Sequence, residues 1–453
     1  MPAAQNLPDN IDELLAIVQT SNDEQSRKAL FATLRTIPSL MLASPTADEQ
    51  DPLDLLDPAD NTLAYAYILV ARCYGDRLEV SRMLHYILKF LNSFDPEEAR
   101  HAPEKLAQVA QALSRIATSV GKSLITVKPL EIAITRFAPS PKHLTNIHQM
   151  FIKECLLSKC YKAALPILDN DITEIDVHEM GIHYTDHLLY HYYGGMIYIG
   201  LKKFERALDF FKLVISAPAN LSSMIQIEAY KKFVLVSLLL HGKIATLPKY
   251  TAQAVFRSVK NFCQSYTDFA NAFEGLKVKR VRSEFLKCCD AFKKDKNFGL
   301  AKQTLDALYR RNIQQLTQTY LTLSLVDIAD AVGLEGPDAA KQAEKYVLKM
   351  IESKEIFATI SHTHQNGMVS FHDNPDKFDA QETIAQLEQQ IVNAASVNER
   401  VIRTDRMIGC SKEYLSRNQH PSASGVGSGL GTVDDTELLS GFDSLADEGR
   451  YFA

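Results

Sequence analysis

Three histidines near the middle of the chain are spaced so that they could bind a transition metal. His183, His187 and His191 occupy positions i, i+4 and i+8, which form one face of a helix. Asp186 lies on a neighbouring face, no thiol accompanies the set, and the HExxH pattern of zinc hydrolases is absent. Because any amphipathic helix can produce such spacing, the pattern favours a packed or half-exposed helix face over a metal site.

A second pair of histidines, in His362-Thr363-His364, precedes Asp373. JAMM-type metalloproteases hold zinc through a His-x-His pair and a later Asp, with a Glu as general base. Here Asp373 comes two residues too early, and Gln365 replaces the Pro that usually follows the second His. The pair also lies at a predicted hairpin tip, without the sheet and helix that build a zinc site. We therefore expect exposed histidines and no metal.

The segment GVGSGLG at residues 425–431 has the glycine content of a phosphate-binding loop. Such a loop needs a strand before it and a helix N-terminus after it. Nothing before the segment has the pattern of a strand, and the acidic sequence TVDDTELL follows it. The glycine and serine content therefore predicts a flexible linker.

A short basic run at residues 277–282 could serve nuclear import or bind a partner. Its cations are Lys277, Lys279, Arg280 and Arg282. Short basic runs are common on solvated helix faces, and the sequence favours that interpretation.

The composition of the whole chain narrows the class of protein. A net charge of −6 gives no overall basic field that would attract nucleic acid or an anionic membrane. The seven cysteines are scattered without a CxxC pair, which indicates reduced thiols in the cytosol or nucleus. Every uninterrupted apolar stretch is far shorter than the ~20 residues that span a bilayer. No catalytic set is legible from spacing, so we expect neither enzyme activity nor a cofactor.

The elements that must position these residues are mostly helices, because Pro and Gly are sparse and fall mainly between periodic segments. Helical hairpins repeat from about residue 144. Residues 191–218 carry the small, aromatic, bulky and Pro positions of a tetratricopeptide repeat. These positions are Gly194, Gly195, Tyr198, Ala207, Phe211 and Pro218. Ala164 and Ala207 lie 43 residues apart, which is longer than that repeat, so the sequence predicts an all-α solenoid of degenerate, TPR-like hairpins.

The pattern changes near residue 316. The predicted elements, in order, are a short strand, two helices and two β-rich arms: 320–323, 324–332, 338–353, 356–360 and 368–371. Asn366-Gly367 is a turn signal between the arms. Two helices followed by a hairpin predict a winged helix.

The two arms are expected to form a small sheet that binds another protein. A sheet edge offers unpaired N–H and C=O groups to a strand of another chain. The residues predicted for this interface are Ala358, Thr359, Ile360, Met368, Val369, Ser370 and Phe371.

One long helix is predicted from Asp379 to about Cys410, and its apolar residues repeat every seven positions. A single helix cannot bury such a stripe unaided, so we expect it to join a helical bundle with other chains. The stripe residues are Ile384, Leu387, Ile391, Ala394, Val401 and Ile408. Asn398 and Asp405 share that face, where they would weaken packing but could fix the register.

Several longer strings carry a resemblance to a known family. They are LPILDNDITEID (165–176), YYGGMIYIGLKKFERAL (192–208), EAYKKFVLVSLLLHGK (228–243), LPKYTAQ (247–253), QTYLTLSL (318–325) and NGMVSFHDNP (366–375). A helical solenoid with a winged helix and a long C-terminal helix is the layout of PCI proteins. Over roughly residues 140–400 the strings resemble the subunit 3 family of the COP9 signalosome, whereas the first 140 residues match only in general helical character.

The resemblance implies a non-catalytic scaffold in an assembly that removes NEDD8 from cullins and so regulates cullin–RING ubiquitin ligases. The chemistry would belong to a different, metalloprotease subunit. The implied partners are other signalosome subunits, with subunits 1 and 8 as neighbours and cullin–RING ligases as indirect partners. The implied location is the cytoplasm and nucleus.

Two alternatives stay open at this point. The nearest is a related PCI subunit of the proteasome lid. The other is a nucleic-acid-binding winged helix, which is less favoured because residues 316–378 contain five Lys, no Arg and nine acids. Neither nucleic acid nor a membrane is therefore expected as a partner.

Five parts of the chain follow from these patterns. They are N-terminal helical repeats, TPR-like repeats (with the helical part of the PCI domain from about residue 192), a winged helix, a bundle helix and a flexible Gly-rich acidic tail: 1–140, 141–315, 316–378, 379–410 and 411–453.

Overall fold

A computed structural model describes residues 8, 10–20, 24–47, 50–75, 80–334, 336–362, 367–373 and 381–419. The chain divides into two compact units, Met1–His372 and Asp373–Ala453. The first unit contains helical hairpins and a small three-stranded sheet, and the second contains a long helix. No helix within these described ranges is both long and apolar enough to cross a membrane.

Helices follow one another along the first unit. They are α1 (Ile11–Thr20), α2 (Glu24–Thr36), α3 (Ser39–Leu42), α4 (Pro52–Leu55), α5 (Thr62–Cys73), α6 (Val80–Ser93), α7 (Pro96–Ala99), α8 (Pro103–Val120), α9 (Leu124–Phe137), α10 (His148–Leu157), a 3₁₀ turn (Tyr161–Ala164), α11 (Leu165–Leu168), α12 (Tyr184–Gly200), α13 (Phe204–Ser216), α14 (Met224–His241), α15 (Gln253–Phe262), α16 (Gln264–Glu274), α17 (Val278–Lys294), α18 (Phe298–Thr319), α19 (Leu325–Val332) and α20 (Ala339–Glu352). The strands are β1 (Thr322–Ser324), β2 (Phe357–Ser361) and β3 (Met368–His372), and the second unit contains α21 (Gln381–Gly409) and α22 (Lys412–Gln419).

Capping residues set the ends of the helices. The Ser223 hydroxyl accepts a hydrogen bond from the Ile225 N–H, while the Gln226 side chain accepts one from the Ser223 N–H. This reciprocal pair is a capping box, and it starts α14. Gly242 ends α14 and Gly333 ends α19, each with a positive φ that glycine adopts without steric cost.

The repeats pack as the spacing of small residues predicts. A Cβ atom on Gly194 would lie 2.7 Å from the Phe210 ring, and one on Gly195 would lie 2.7 Å from the Phe211 ring. The two glycines therefore let the rings of α13 reach the backbone of α12. Tyr198 is fully buried one turn later, and its hydroxyl donates to the Leu168 carbonyl at 2.9 Å. This bond joins the hairpin to the repeat before it.

The three strands and two helices at the end of the first unit form the predicted winged helix. The first strand is displaced from the predicted position, because α18 continues to Thr319 and the Tyr320 N–H still donates to the Leu316 carbonyl. The strand therefore starts at Thr322 and ends at Ser324, whose hydroxyl accepts from the Asp327 N–H and starts α19. The all-α solenoid followed by a winged helix and a long helix is confirmed.

We predict that Gly195→Ala destabilises the chain by about 1–3 kcal/mol, because the added methyl group must displace the Phe211 ring in a packed crossing. Thermal and urea unfolding of the purified variant measure the effect. The matched control is Gly299→Ala in α18, where a Cβ atom meets nothing within 4 Å. The control should be neutral or more stable by up to about 1 kcal/mol, because Ala has the higher helix propensity. Equal effects of the two substitutions would contradict the crossing argument.

Candidate interaction surfaces

The sheet of the winged helix has β3 at its centre, in the order β1-β3-β2. In antiparallel pairing, one residue directs both its N–H and its C=O to one neighbour, and the next residue directs them to the other side. The Phe371 N–H donates to the Leu321 carbonyl at 2.8 Å, so the backbone N–H and C=O groups of Phe371 and Val369 point to β1. The backbone groups of Met368, Ser370 and His372 consequently point to β2.

The outward groups of β2 follow from its register. Thr359 pairs with Ser370, which faces β2, so Thr359 is hydrogen-bonded to β3. The residues on either side of it, Ala358 and Ile360, therefore direct their N–H and C=O groups away from the sheet. Strand β2 is thus an edge whose backbone groups are positioned to pair with a further strand.

The expectation that Met368, Val369, Ser370 and Phe371 belong to an edge is wrong. Their strand is paired on both sides, and Val369 and Phe371 are buried. The sequence shows the hairpin, but not that the strand before α19 returns to pair with the second arm. Of the predicted edge residues, only Ala358, Thr359 and Ile360 lie at an edge.

The side chains of β2 point alternately to the core and to solvent. Ala358 and Ile360 are half-buried and pack against the core of the module, whereas Thr359 is exposed and its hydroxyl lies 3.0 Å from His372 Nε2. Beneath the strands the buried core includes Leu325, Val347, Met350 and Ile356. The core holds the edge in place, so an added strand would gain mainly backbone hydrogen bonds.

Helix α21 presents the predicted apolar stripe to solvent. With 29 residues it is roughly 43 Å long at 1.5 Å per residue. The exposed fractions are 49% for Ile384, 52% for Leu387, 67% for Ile391, 60% for Val401 and 53% for Ile408. Ala394, between them, is also exposed. A stripe this long and apolar is typical of a helix that packs against partner helices.

The histidines at 183, 187 and 191 belong to packing, not to a shared site. His183 is the N-cap of α12 and is exposed, whereas His191 is buried against the Phe210 ring. The His191 Nδ1–H donates to the His187 carbonyl at 2.9 Å, and the two rings are 4.4 Å apart. Across the described part of the chain, no group of three potential ligands is arranged to hold a metal.

Burial controls the titration of these rings. It lowers the pKa of His191 to about 3, with a smaller contribution from His187, and it lowers the pKa of His187. Burial likewise lowers the pKa of His148 to about 4. The Thr145 N–H donates to His148 Nδ1 at 3.0 Å, which requires the neutral ring because a protonated ring has no acceptor.

The other motifs divide between the described and undescribed residues. His362 Nε2 lies 3.3 Å from Glu344 Oε1 of α20, while His364 and the segment 425–431 lie outside the described residues. In the basic run, Lys279 and Arg280 are exposed, but the Arg282 Nε–H donates to the Tyr309 hydroxyl at 2.9 Å. Arg282 therefore joins α17 to α18.

All seven cysteines are free thiols, and four of them are buried. Burial raises the pKa of Cys73 to about 11 and those of Cys155 and Cys263 to about 12. Their thiols are therefore protonated and unreactive at neutral pH.

Comparison with known sequences gives consistent matches over most of the chain. A family model described as the N-terminal helical repeats of COP9 signalosome complex subunit 3 matches residues 25–255, and a PCI domain model matches residues 285–373. The chain is 34% identical over 412 residues to COP9 signalosome complex subunit 3 of Arabidopsis thaliana, covering 90% of this chain and 93% of that protein. It is 34% identical over 367 residues to the subunit of the same name in Dictyostelium discoideum, covering 81% and 86%.

The buried histidines predict a loss of stability in acid. Their folded pKa values lie below the ordinary value of 6.5, so the unfolded chain binds protons that the folded chain does not. Their contribution to the free energy of unfolding is complete above about pH 6.5. It is lost as the pH falls toward the pKa values of the folded chain, by about 2 kcal/mol per residue at pH 5. Urea unfolding at about pH 6.5 and at pH 5 measures the effect. Between these two pH values, the free energy of unfolding should fall less for His148→Gln than for the native chain. His178→Gln, at an exposed position, is the control, and an unchanged slope in His148→Gln would contradict the assignment.

Proposed function

The chain belongs to the COP9 signalosome complex subunit 3 family, and we propose that it serves the signalosome as a non-catalytic scaffold subunit. The observation that carries the proposal is the identity to named subunits along nearly the whole chain, repeats and PCI domain together. Through that assembly it contributes to removing NEDD8 from cullins and so to regulating cullin–RING ubiquitin ligases. The peptidase chemistry belongs to a different subunit.

The surfaces of the chain support a binding role. The β2 edge offers backbone groups, and α21 offers an apolar stripe, so two distinct kinds of contact are available. We assign the β2 edge to the adjacent PCI subunit, with subunits 1 and 8 as the neighbours, and α21 to a bundle with several subunits. We also propose that the chain has five parts, with boundaries at about residues 140, 315, 378 and 410. Its proposed location is the cytoplasm and nucleus.

Neither alternative function is favoured. A proteasome-lid subunit is disfavoured because the matching helical-repeat model and both relatives carry the name of signalosome subunit 3. A nucleic-acid-binding winged helix is disfavoured by charge, because residues 316–378 hold nine acids against five Lys and no Arg. Binding to duplex DNA would need the opposite sign to neutralise phosphates.

A proline at Ala358 should weaken contact with the neighbouring PCI subunit and leave the module folded. The Ala358 N–H points away from β3, so its loss costs the sheet no ladder hydrogen bond but removes a donor for an added strand. Co-purification with subunit 1 or subunit 8 measures the contact, and we expect at least about a tenfold loss of recovered partner when several backbone bonds fail. Recovery equal to that of the native chain would argue against β2 pairing.

The matched variant for this test is Thr359→Pro. The Thr359 N–H bonds to β3, so proline there should unfold the sheet itself as well as abolish the contact. Circular dichroism and thermal unfolding separate the two variants. The proposal requires that Ala358→Pro keeps native unfolding behaviour while Thr359→Pro does not.

Charge on the α21 stripe should impair entry into the complete assembly. Leu387→Asp with Val401→Asp places two carboxylates on the face proposed for the bundle, where burial of each apolar side chain is worth about 1.5–3 kcal/mol. Gln389→Asp with Ser396→Asp adds the same charge on the opposite face of the helix. Reconstitution with the other subunits, read by size-exclusion chromatography, should fail only for the first pair. If both pairs assemble equally well, the bundle proposal is wrong.

A further inference from the structure

A polar cleft of about 570 Å³ lies where the C-terminal ends of α14 and α16 meet the last turns of α18. It is lined mainly by charged and amide side chains, among them Lys243, Glu274, Arg311, Gln314, Gln315 and Gln318. None of these residues belongs to the β2 edge or to the α21 stripe. The cleft is therefore a surface that the scaffold proposal does not use.

Arg311 is the unusual residue of this cleft. One of its terminal N–H groups donates to the Leu240 carbonyl at the end of α14, at 2.5 Å. Its Nε is buried and has no hydrogen-bond partner among the described residues. The neighbouring Arg310 pairs with Glu355 at 2.9 Å, whereas Arg311 forms no ion pair in the described part of the chain. The terminal N–H groups that do not bond to Leu240 are therefore the donors that this guanidinium can offer to a ligand.

Gly242 makes room for the guanidinium of Arg311. A Cβ atom at Gly242 would lie 2.7 Å from Arg311 Nη1, so a larger residue there would displace the guanidinium from this place. Burial, with a smaller contribution from Arg310, lowers the pKa of Arg311. A half-buried cation without a counter-ion costs free energy, and a bound anion offsets that cost.

The charge of the cleft indicates what kind of anion fits. Lys243 is exposed and, like Arg311, forms no ion pair among the residues described, while Glu274 contributes the acid of the lining. Two cations and one acid leave a single net positive charge, which matches one carboxylate better than a polyphosphate. The glutamines add amide donors and acceptors of the kind that bind peptide backbone. The volume far exceeds that of a free acetate ion.

We propose that this cleft binds a short extended segment of a partner protein through one carboxylate, held by the remaining N–H groups of Arg311 with Lys243 as the second cation. Charge-assisted bonds to a carboxylate are about twice as strong as neutral ones, so the acidic side chain would anchor the segment. The glutamines would bind its backbone amides. This inference does not rest on membership of the signalosome.

An array of short capped peptides tests the proposal with the full-length chain. Each peptide has uncharged, varied flanks and a central Glu, and each is matched by a peptide with Gln at that position. The native chain should prefer the Glu member of bound pairs by about tenfold or more. Arg311→Gln should abolish the preference, and Arg310→Gln should leave it unchanged. Absence of a Glu preference in the native chain would overturn the proposal.

Two further measurements keep the result interpretable. Lys243 is exposed, so Lys243→Gln should fold normally and reduce the preference severalfold even if Arg311→Gln proves unstable on thermal unfolding. A retained preference in Lys243→Gln would contradict the assigned cation pair.

Peptides with a central phosphoserine and free inorganic phosphate form the third arm. Tighter binding of either than of the Glu peptides would identify a phosphate site and overturn the carboxylate assignment.

Discussion

The structure depends on the close approach of helices that cannot bury their apolar faces alone. In the α12–α13 hairpin that approach requires two positions without side chains, because the rings of Phe210 and Phe211 occupy the space where Cβ atoms of Gly194 and Gly195 would lie. The Tyr198 hydroxyl then fixes the preceding repeat. Each hairpin adds a buried layer to the one before it, so the stacking carries through to α18, which leads directly into the winged helix.

The strand order of the winged helix determines which backbone groups are paired within the sheet. Strand β1 pairs with one side of β3, and β2 pairs with the other. On the outer side of β2, the backbone groups that point away from the sheet belong to Ala358 and Ile360. Core side chains fix the position of this edge, because β2 packs Ala358 and Ile360 inward. The edge that we propose for a partner strand therefore consists of backbone groups held in place by packed side chains.

Several buried or half-buried charges of the solenoid are paired with an opposite charge, and Arg311 differs from them. Lys231 of α14 lies 2.6 Å from Glu228 and 2.9 Å from Asp295, and the Tyr266 hydroxyl also donates to Asp295. Arg72 lies 2.5 Å from Asp51. The pairs with Asp295 and Asp51 connect neighbouring elements, and none of these pairs needs a ligand. Arg311 is half-buried and has no such pairing among the described residues, at a place where Gly242 makes room for it.

The sequence by itself determined the elements whose physical signal is local. Helical periodicity, the small residues at Gly194 and Gly195 and the seven-residue stripe of α21 all depend on neighbours along the chain, and each prediction agreed with the structure. Only the tertiary structure decided which strand is central, because pairing of β1 with β3 joins residues far apart in sequence. The same limit applies to Arg311, which differs from Arg310 only through what surrounds it. Local patterns fix what a residue can do, whereas exposure, pairing and partner choice arise from contacts that the chain makes only when folded.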